Sequence, residues 1–253
     1  MELKGTQQAP GTHSPAMLAE IVDLLVSPDP RGVYVDGTFG RGGHTRGLLA
    51  ALAPKGALHA FDMDHEAVAV GEALAAEDPR FTIHRGKFGR MAATLKDLRG
   101  GVAGVLLDLG ISSPQLDDPT RGMRPEQSGP LDCRFDVTRG MPAWQYLETA
   151  SREDICAVLA RYGDGQDAAS AARIADAVVL TREAEGGAVP RSTSDMARLV
   201  AAARCGGDYQ PMHAVGGCGR VPARWVRGGV RACVRAPLLL PLLLHCCCCC
   251  RQS

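Results

Sequence analysis

Aromatic side chains make up only 4% of this 253-residue sequence. No apolar run reaches the roughly 18–20 residues that cross a bilayer, which argues against a membrane-spanning helix. Cysteine is almost missing from the body of the chain: of ten, only Cys133 and Cys156 precede residue 205. Two isolated thiols cannot build a disulfide framework and fit a reduced compartment. The opening stretch MELKGTQQAPGTHSP has no apolar segment of a secretory signal, and too little arginine and serine for an organellar transit peptide. An excess of charge is lacking too, with 28 basic and 28 acidic residues, so no global field names a polyanionic partner. The balance is nevertheless uneven. From Arg204 onward seven arginines face one acid, which leaves 21 basic against 27 acidic residues before it. A net negative body argues against a broad nucleic-acid footprint while permitting a local one.

What is present is an alternation of periods. SPAMLAEIVDLLV (14–26) has helical apolar spacing, with Ser14 read as N-cap, Pro15 at the first helical position, and Pro28 and Pro30 as stops. Strands are expected at 33–35, 57–62 and 81–84. A fourth, at 104–110 (GVLLDLG), is so continuously apolar that burial on both faces is expected. Between them lie helices at about 44–52, 64–76 (with Asp64 as cap) and 89–98. Such alternation indicates a doubly wound α/β sheet. After Gly110 it stops. Residues 112–140 are rich in proline and glycine, and 142–204 read as helices only, with Ser151 and Asp154 forming a capping box. The expected organisation is an α/β domain over 1–112, a helical insertion over 113–204, and a tail over 205–253.

The chemistry gathers at the strand ends, where ligands of open α/β sheets bind. VYVDGTFGRGGHT (33–45) runs from a strand into an acid and then four glycines in seven positions. Glycine there permits left-handed backbone and close approach of a ligand. The spacing departs from the dinucleotide fingerprint, and no phosphate-binding lysine follows, so a methyl-donor nucleoside fits better than a pyrophosphate. Asp62 ends the second strand and can accept both ribose hydroxyls. Phe88 offers an apolar face to adenine, and Asp108 can accept hydrogen bonds near a cationic methionine end. Taken singly, each has a structural explanation: a tight turn, a helix cap, a core residue.

DLGISSPQLDD (108–118) then places an acid, two serines and a proline where a base could present an exocyclic amine. Together with HSPAMLAE (13–20), DGTFGRGGHT (36–45), FDMD (61–64), DPRF and RGKF (78–81, 85–88), SGPLDCRFD (128–136) and RYG (161–163), it resembles the ribosomal RNA small subunit methyltransferase H family. The resemblance covers about 13–204. It implies a Rossmann-like class I methyltransferase sheet, of which strands 1–4 are present, carrying an inserted all-helical domain. It also implies S-adenosyl-L-methionine as methyl donor and N4 of a cytidine in the decoding region of small-subunit rRNA as acceptor. Carried over by position, the donor contacts are Gly42, Gly43, His44, Asp62, Phe88, Asp108 and Gln115.

Asp108, Ser112, Ser113 and Pro114 are the candidates for positioning the amine. Arg121, Arg124, Arg134 and Arg139 are candidates for rRNA phosphates, with solvated or carboxylate-paired side chains as the alternative. No metal site is expected. The partner is small-subunit rRNA or the assembled small subunit, no membrane is involved, and a homodimer is admitted. The compartment follows the ribosome: cytoplasmic in a bacterium, mitochondrion or plastid in a eukaryote. Alternatives are an inactive donor- and RNA-binding remnant, or a methyltransferase acting on DNA or a small molecule.

After Met212-His213-Ala214 every match to that family ends. The expectation is a C-terminal truncation, by unspliced intron or frameshift, followed by an irregular tail whose Cys246–Cys250 run lacks zinc-site spacing. The fourth strand would then be an edge, and the chain poorly soluble with little activity.

Overall fold

Strand β1 (Val33–Asp36) sits between β2 (Ala57–Asp62) and β4 (Val102–Leu106), and β3 (Phe81–Arg85) lies beyond β2. The computed structural model describes residues 15–98, 101–163, 168–184 and 188–204. The chain divides between Ser113 and Pro114 into two units.

In the first unit all three strand pairings are parallel. The order β3-β2-β1-β4 means that the chain winds outward from β1 and then returns to its other side. That reversal opens a crevice beyond the carboxyl ends of β1 and β4, where such sheets take their ligands. The connecting helices are α1 (Leu18–Leu25), α2 (Gly43–Ala51), α3 (His65–Glu77) and the single turn α4 (Met91–Thr94). One face of the sheet buries Tyr34, Leu58, Ala60 and Phe81 with Leu48, Leu52 and Leu74. The other buries Val35 and Phe61 against Leu95. Asp64 caps α3, its Oδ1 accepting from the Glu66 N–H at 3.1 Å. Gly71 lets that helix lie close on β3, because a Cβ there would fall 2.7 Å from Ile83 Cγ1.

Three expectations are corrected. The fourth strand spans Val102–Leu106, not 104–110, and it is not buried on both faces. It alternates half-buried with exposed residues, and Val105 and Leu107 are each 44% exposed. The reason is its place: among the described residues β4 pairs only with β1. Helix α1 begins at Leu18, so Pro15 is not its first residue; Met17 precedes it in a left-handed conformation at φ 55°. The helix expected at 89–98 is instead a 3₁₀ turn, the turn α4 and a second 3₁₀ turn. Ser14 and the 205–253 tail lie outside the described residues.

Helix α5 (Ser113–Asp117) begins at the boundary, and the second unit continues with α6 (Ala143–Thr149), α7 (Arg152–Tyr162), α8 (Ala168–Glu183) and α9 (Thr193–Arg204). Helix α8 lies against both α7 and α9, presenting Ala171, Ile174, Ala175 and Val178 to a core with Leu131, Leu147, Ile155 and Leu199. Small residues let the helix axes approach. Ser151 caps α7, accepting from the Asp154 N–H at 3.0 Å. The buried Thr193 hydroxyl donates to Gln127 O at 2.6 Å and accepts from the Gly129 N–H at 3.2 Å. It thereby ties the start of α9 to the irregular segment.

Candidate methyl-donor site

The floor of the crevice is the turn that follows β1. Asp36 ends that strand only 1% exposed. One of its oxygens accepts from the Thr38 N–H at 3.0 Å, the other from the Thr45 hydroxyl at 2.7 Å. Burial pushes its carboxyl above the ordinary range, and these hydrogen bonds only partly offset the shift. Thr38 also accepts, through Oγ1, the Asp108 N–H at 2.7 Å. A line of hydrogen bonds therefore runs from the end of β4 across the turn to Asp36.

Gly40 and Gly42 have φ of 58° and 78°, the left-handed region that glycine occupies without penalty. Gly42 is the N-cap of α2, and at Gly43 a Cβ would sit 2.7 Å from Pro15 Cγ. The loop is pinned from β2. Asp62 Oδ2 accepts from the Gly40 N–H at 2.8 Å, and Oδ1 from the Asp64 N–H at 2.9 Å. Burial raises the Asp62 carboxyl, with those N–H donors pulling the other way. A carboxylate has about four lone-pair sites. With the Met63 N–H as a third backbone donor, the carboxylate still has room to accept a hydroxyl.

Phe88 lies on the 3₁₀ turn after β3 and is 40% exposed. A Cβ on Gly37 would lie 3.1 Å from Phe88 Cβ, so the aromatic turn and the glycine loop are neighbours. His44 is 8% exposed; its Nε2 donates to Ala16 O at 3.0 Å, and Nδ1 lies 3.5 Å from Asp108 Oδ2. The Asp108 side chain is otherwise exposed, Ser112 is half-buried and Ser113 exposed. The first unit thus gathers Gly42, Gly43, His44, Asp62, Phe88 and Asp108 at one sheet edge.

Pro114 and Gln115 belong to the second unit, where Gln115 is buried at 6% exposed on α5. The four arginines lie there too, each with an internal acceptor. Arg121 is 4% exposed and donates to Phe135 O at 2.7 Å. Arg134 grips Asp132 with two nitrogens, at 2.8 and 2.6 Å. Arg124 pairs with Asp117 at 3.3 Å and Arg139 with Asp136 at 3.7 Å.

The residues that the sequence did not single out are Thr38 and Thr45. A signal for the first existed: Asp-X-Thr recurs at 36–38, 118–120 and 136–138, and each time the threonine N–H bonds the aspartate two residues back.

A parallel sheet with its reversal at β1 and β4, a glycine turn between them and an acid closing β2 defines a Rossmann-like α/β nucleoside-binding fold. Residues 11–211 match the model of the MraW methylase family. The chain belongs to that family. It is 49% identical over 205 residues to the ribosomal RNA small subunit methyltransferase H of Cupriavidus necator, covering 80% of this chain and 60% of that protein. The protein of the same name from Ralstonia pickettii is 48% identical over 202 residues, covering 78% of this chain and 61% of its own length. The chain spans about 60% of the length of these curated relatives.

Proposed function

We propose that this chain carries the donor-binding half of an S-adenosylmethionine-dependent rRNA cytosine-N4 methyltransferase. The observation that carries the reading is Asp62, a half-buried carboxylate that fixes the glycine loop through Gly40 yet retains acceptor capacity for a ligand hydroxyl. Asp62 would hold the ribose hydroxyls. The Gly42–Gly43 backbone would line the amino-acid portion, and Phe88 would cover one face of adenine. When bound, S-adenosylmethionine supplies an electrophilic methyl on a sulfonium.

The remaining work falls to the chain. A cytosine amine is a weak nucleophile because its lone pair is delocalised into the ring. It gains from being held in line with the methyl and from an acceptor for its proton. Asp108 suits that role: its backbone is fixed by Thr38 while its side chain stays exposed. His44 Nδ1 lies 3.5 Å from Asp108 Oδ2, which places the imidazole beside that carboxylate. Ser112, Ser113 and Pro114 form the turn that follows, and Gln115, buried on α5, is named as a donor contact by the family resemblance alone. The acceptor is small-subunit rRNA, free or in the assembled subunit, and the compartment is that of its ribosome. No helix among the described residues is long and apolar enough to cross a membrane.

Calorimetric titration of the full chain with S-adenosylmethionine tests the reading. The expected outcome is saturable uptake that weakens at least about tenfold in Asp62→Ala, as for a lost charge-assisted hydrogen bond. No uptake by the parent, or equal uptake by a folded Asp62→Ala, overturns it.

A further inference from the structure

Cationic side chains are not spread evenly over this neutral chain. Residues 79–96 contain Arg80, Arg85, Lys87, Arg90 and Lys96 and no acid, the reverse of the net negative body in which they sit. Arg80 is tied to Asp78 at 2.6 Å. Beyond it, Arg85, Arg90 and Lys96 are exposed and Lys87 is half-buried. No carboxylate among the described residues pairs with Lys87, Arg90 or Lys96. The contrast is with 113–140, where five acids accompany four arginines and Arg124, Arg134 and Arg139 are each neutralised.

The position of this positive run is what gives it meaning. The Gly86 N–H donates to Asp62 O at 2.8 Å, and the Lys87–Arg90 turn closes with an N–H to carbonyl bond of 2.9 Å. Phe88, between the two cations, is a neighbour of Gly37 in the glycine loop. Lys87 and Arg90 therefore flank the donor crevice, at the rim where an acceptor nucleotide must arrive. A positively charged groove is how proteins track the backbone of a single strand. An enzyme acting on a base needs that strand held on both sides of an unstacked nucleotide.

We infer that Lys87 and Arg90 form the phosphate-binding track of the α/β unit and hold single-stranded RNA beside the acceptor nucleotide. The inference rests on the methyltransferase reading for its geometry but is tested apart from it. It also moves the phosphate contacts away from the arginines of 121–139.

The experiment is fluorescence anisotropy of an unstructured 20-nucleotide RNA against the full chain, over a potassium chloride series. Each phosphate contact on a single strand contributes about 0.7 to the slope of log affinity against log salt. Lys87→Gln with Arg90→Gln should lower that slope by about 1.4 and weaken binding at all salts below the crossing point. Arg124→Gln with Arg139→Gln should leave the slope unchanged. Each pair joins a half-buried cation to an exposed one, and thermal melts identify any variant that fails to fold; for such a pair the single substitutions replace the double.

Four results overturn the inference: an unchanged slope in the first pair, a reduced slope in the second pair instead, a parent that binds no RNA, or preference for phosphatidylserine vesicles over RNA. S-adenosylmethionine calorimetry on the same samples separates the two ideas. Donor uptake with an unchanged slope sinks the track alone. A lowered slope without donor uptake sinks the methyltransferase reading alone.

Discussion

Asp36 organises the crevice without being exposed to it. Two threonines hold its oxygens, and through Thr38 it governs where Asp108 begins. Its raised carboxyl gives a signed prediction. When the folded-state value lies above the unfolded one, the native state binds the extra proton. The contribution to stability is then complete below the unfolded value and is lost as pH rises through the folded one. Urea midpoints of the parent should fall from the ordinary carboxylate range upward, relative to those of Asp36→Asn, which has no such proton to lose. Asp62 has the same sign but is common to both proteins and cancels in the difference. Parallel midpoint profiles for the two proteins would show that Asp36 is not the source.

At this scale the sequence exposed Asp36, Asp62, Phe88 and Asp108 because each ends a strand or begins a turn. It hid the state of the arginines, since an ion pair is a matter of partners. Even so, Asp78-X-Arg80 and Asp132-X-Arg134 share one spacing and one geometry, a backbone N–H plus two guanidinium nitrogens on one carboxylate. That spacing is a readable sign of an arginine already engaged.

Among elements, those with a long, unambiguous period were legible and those that depend on neighbours were not. Helices α7, α8 and α9 follow from apolar spacing and the Ser151 cap, and each strand but β4 lies within a residue of its expected bounds. β4 misled because LLDLG is apolar enough for a central strand, whereas burial depends on what lies beside it. The segment 89–98 broke into turns because Met91, Leu95 and Leu98 are drawn onto Val35 and Phe61, a short contact that one helical turn already satisfies. In the second unit the core is built by close helix approach over alanines, so the few large side chains there matter most. Leu199 is fully buried among them. Leu199→Ala should cost about 2–5 kcal/mol, the range for a core leucine truncated without full collapse. Chemical denaturation by tryptophan fluorescence reads it, through Trp144 at the edge of the same core. A loss under about 1 kcal/mol would mean that the helices close over the gap.

For the molecule as a whole, the exposed face of β4 is the feature with the largest physical consequence. Val105 is 44% exposed on a strand that, among the described residues, bonds a neighbour on one side only, and Leu107 and Leu109 just past its end are 44% and 68% exposed. Unpaired backbone groups beside an apolar row are a template for another chain. Leu107 is unsuitable for a test because it packs on Gly37 in the donor loop. Val105 is free of that role, and lysine is the residue that natural edge strands use to discourage pairing. The full chain should show concentration-dependent association by light scattering. Val105→Lys should reduce it and raise the soluble yield, with donor affinity unchanged because the site lies beyond the strand's carboxyl end. Association of equal extent in the variant would place the adhesive surface elsewhere and leave the β4 edge covered by some other part of the protein.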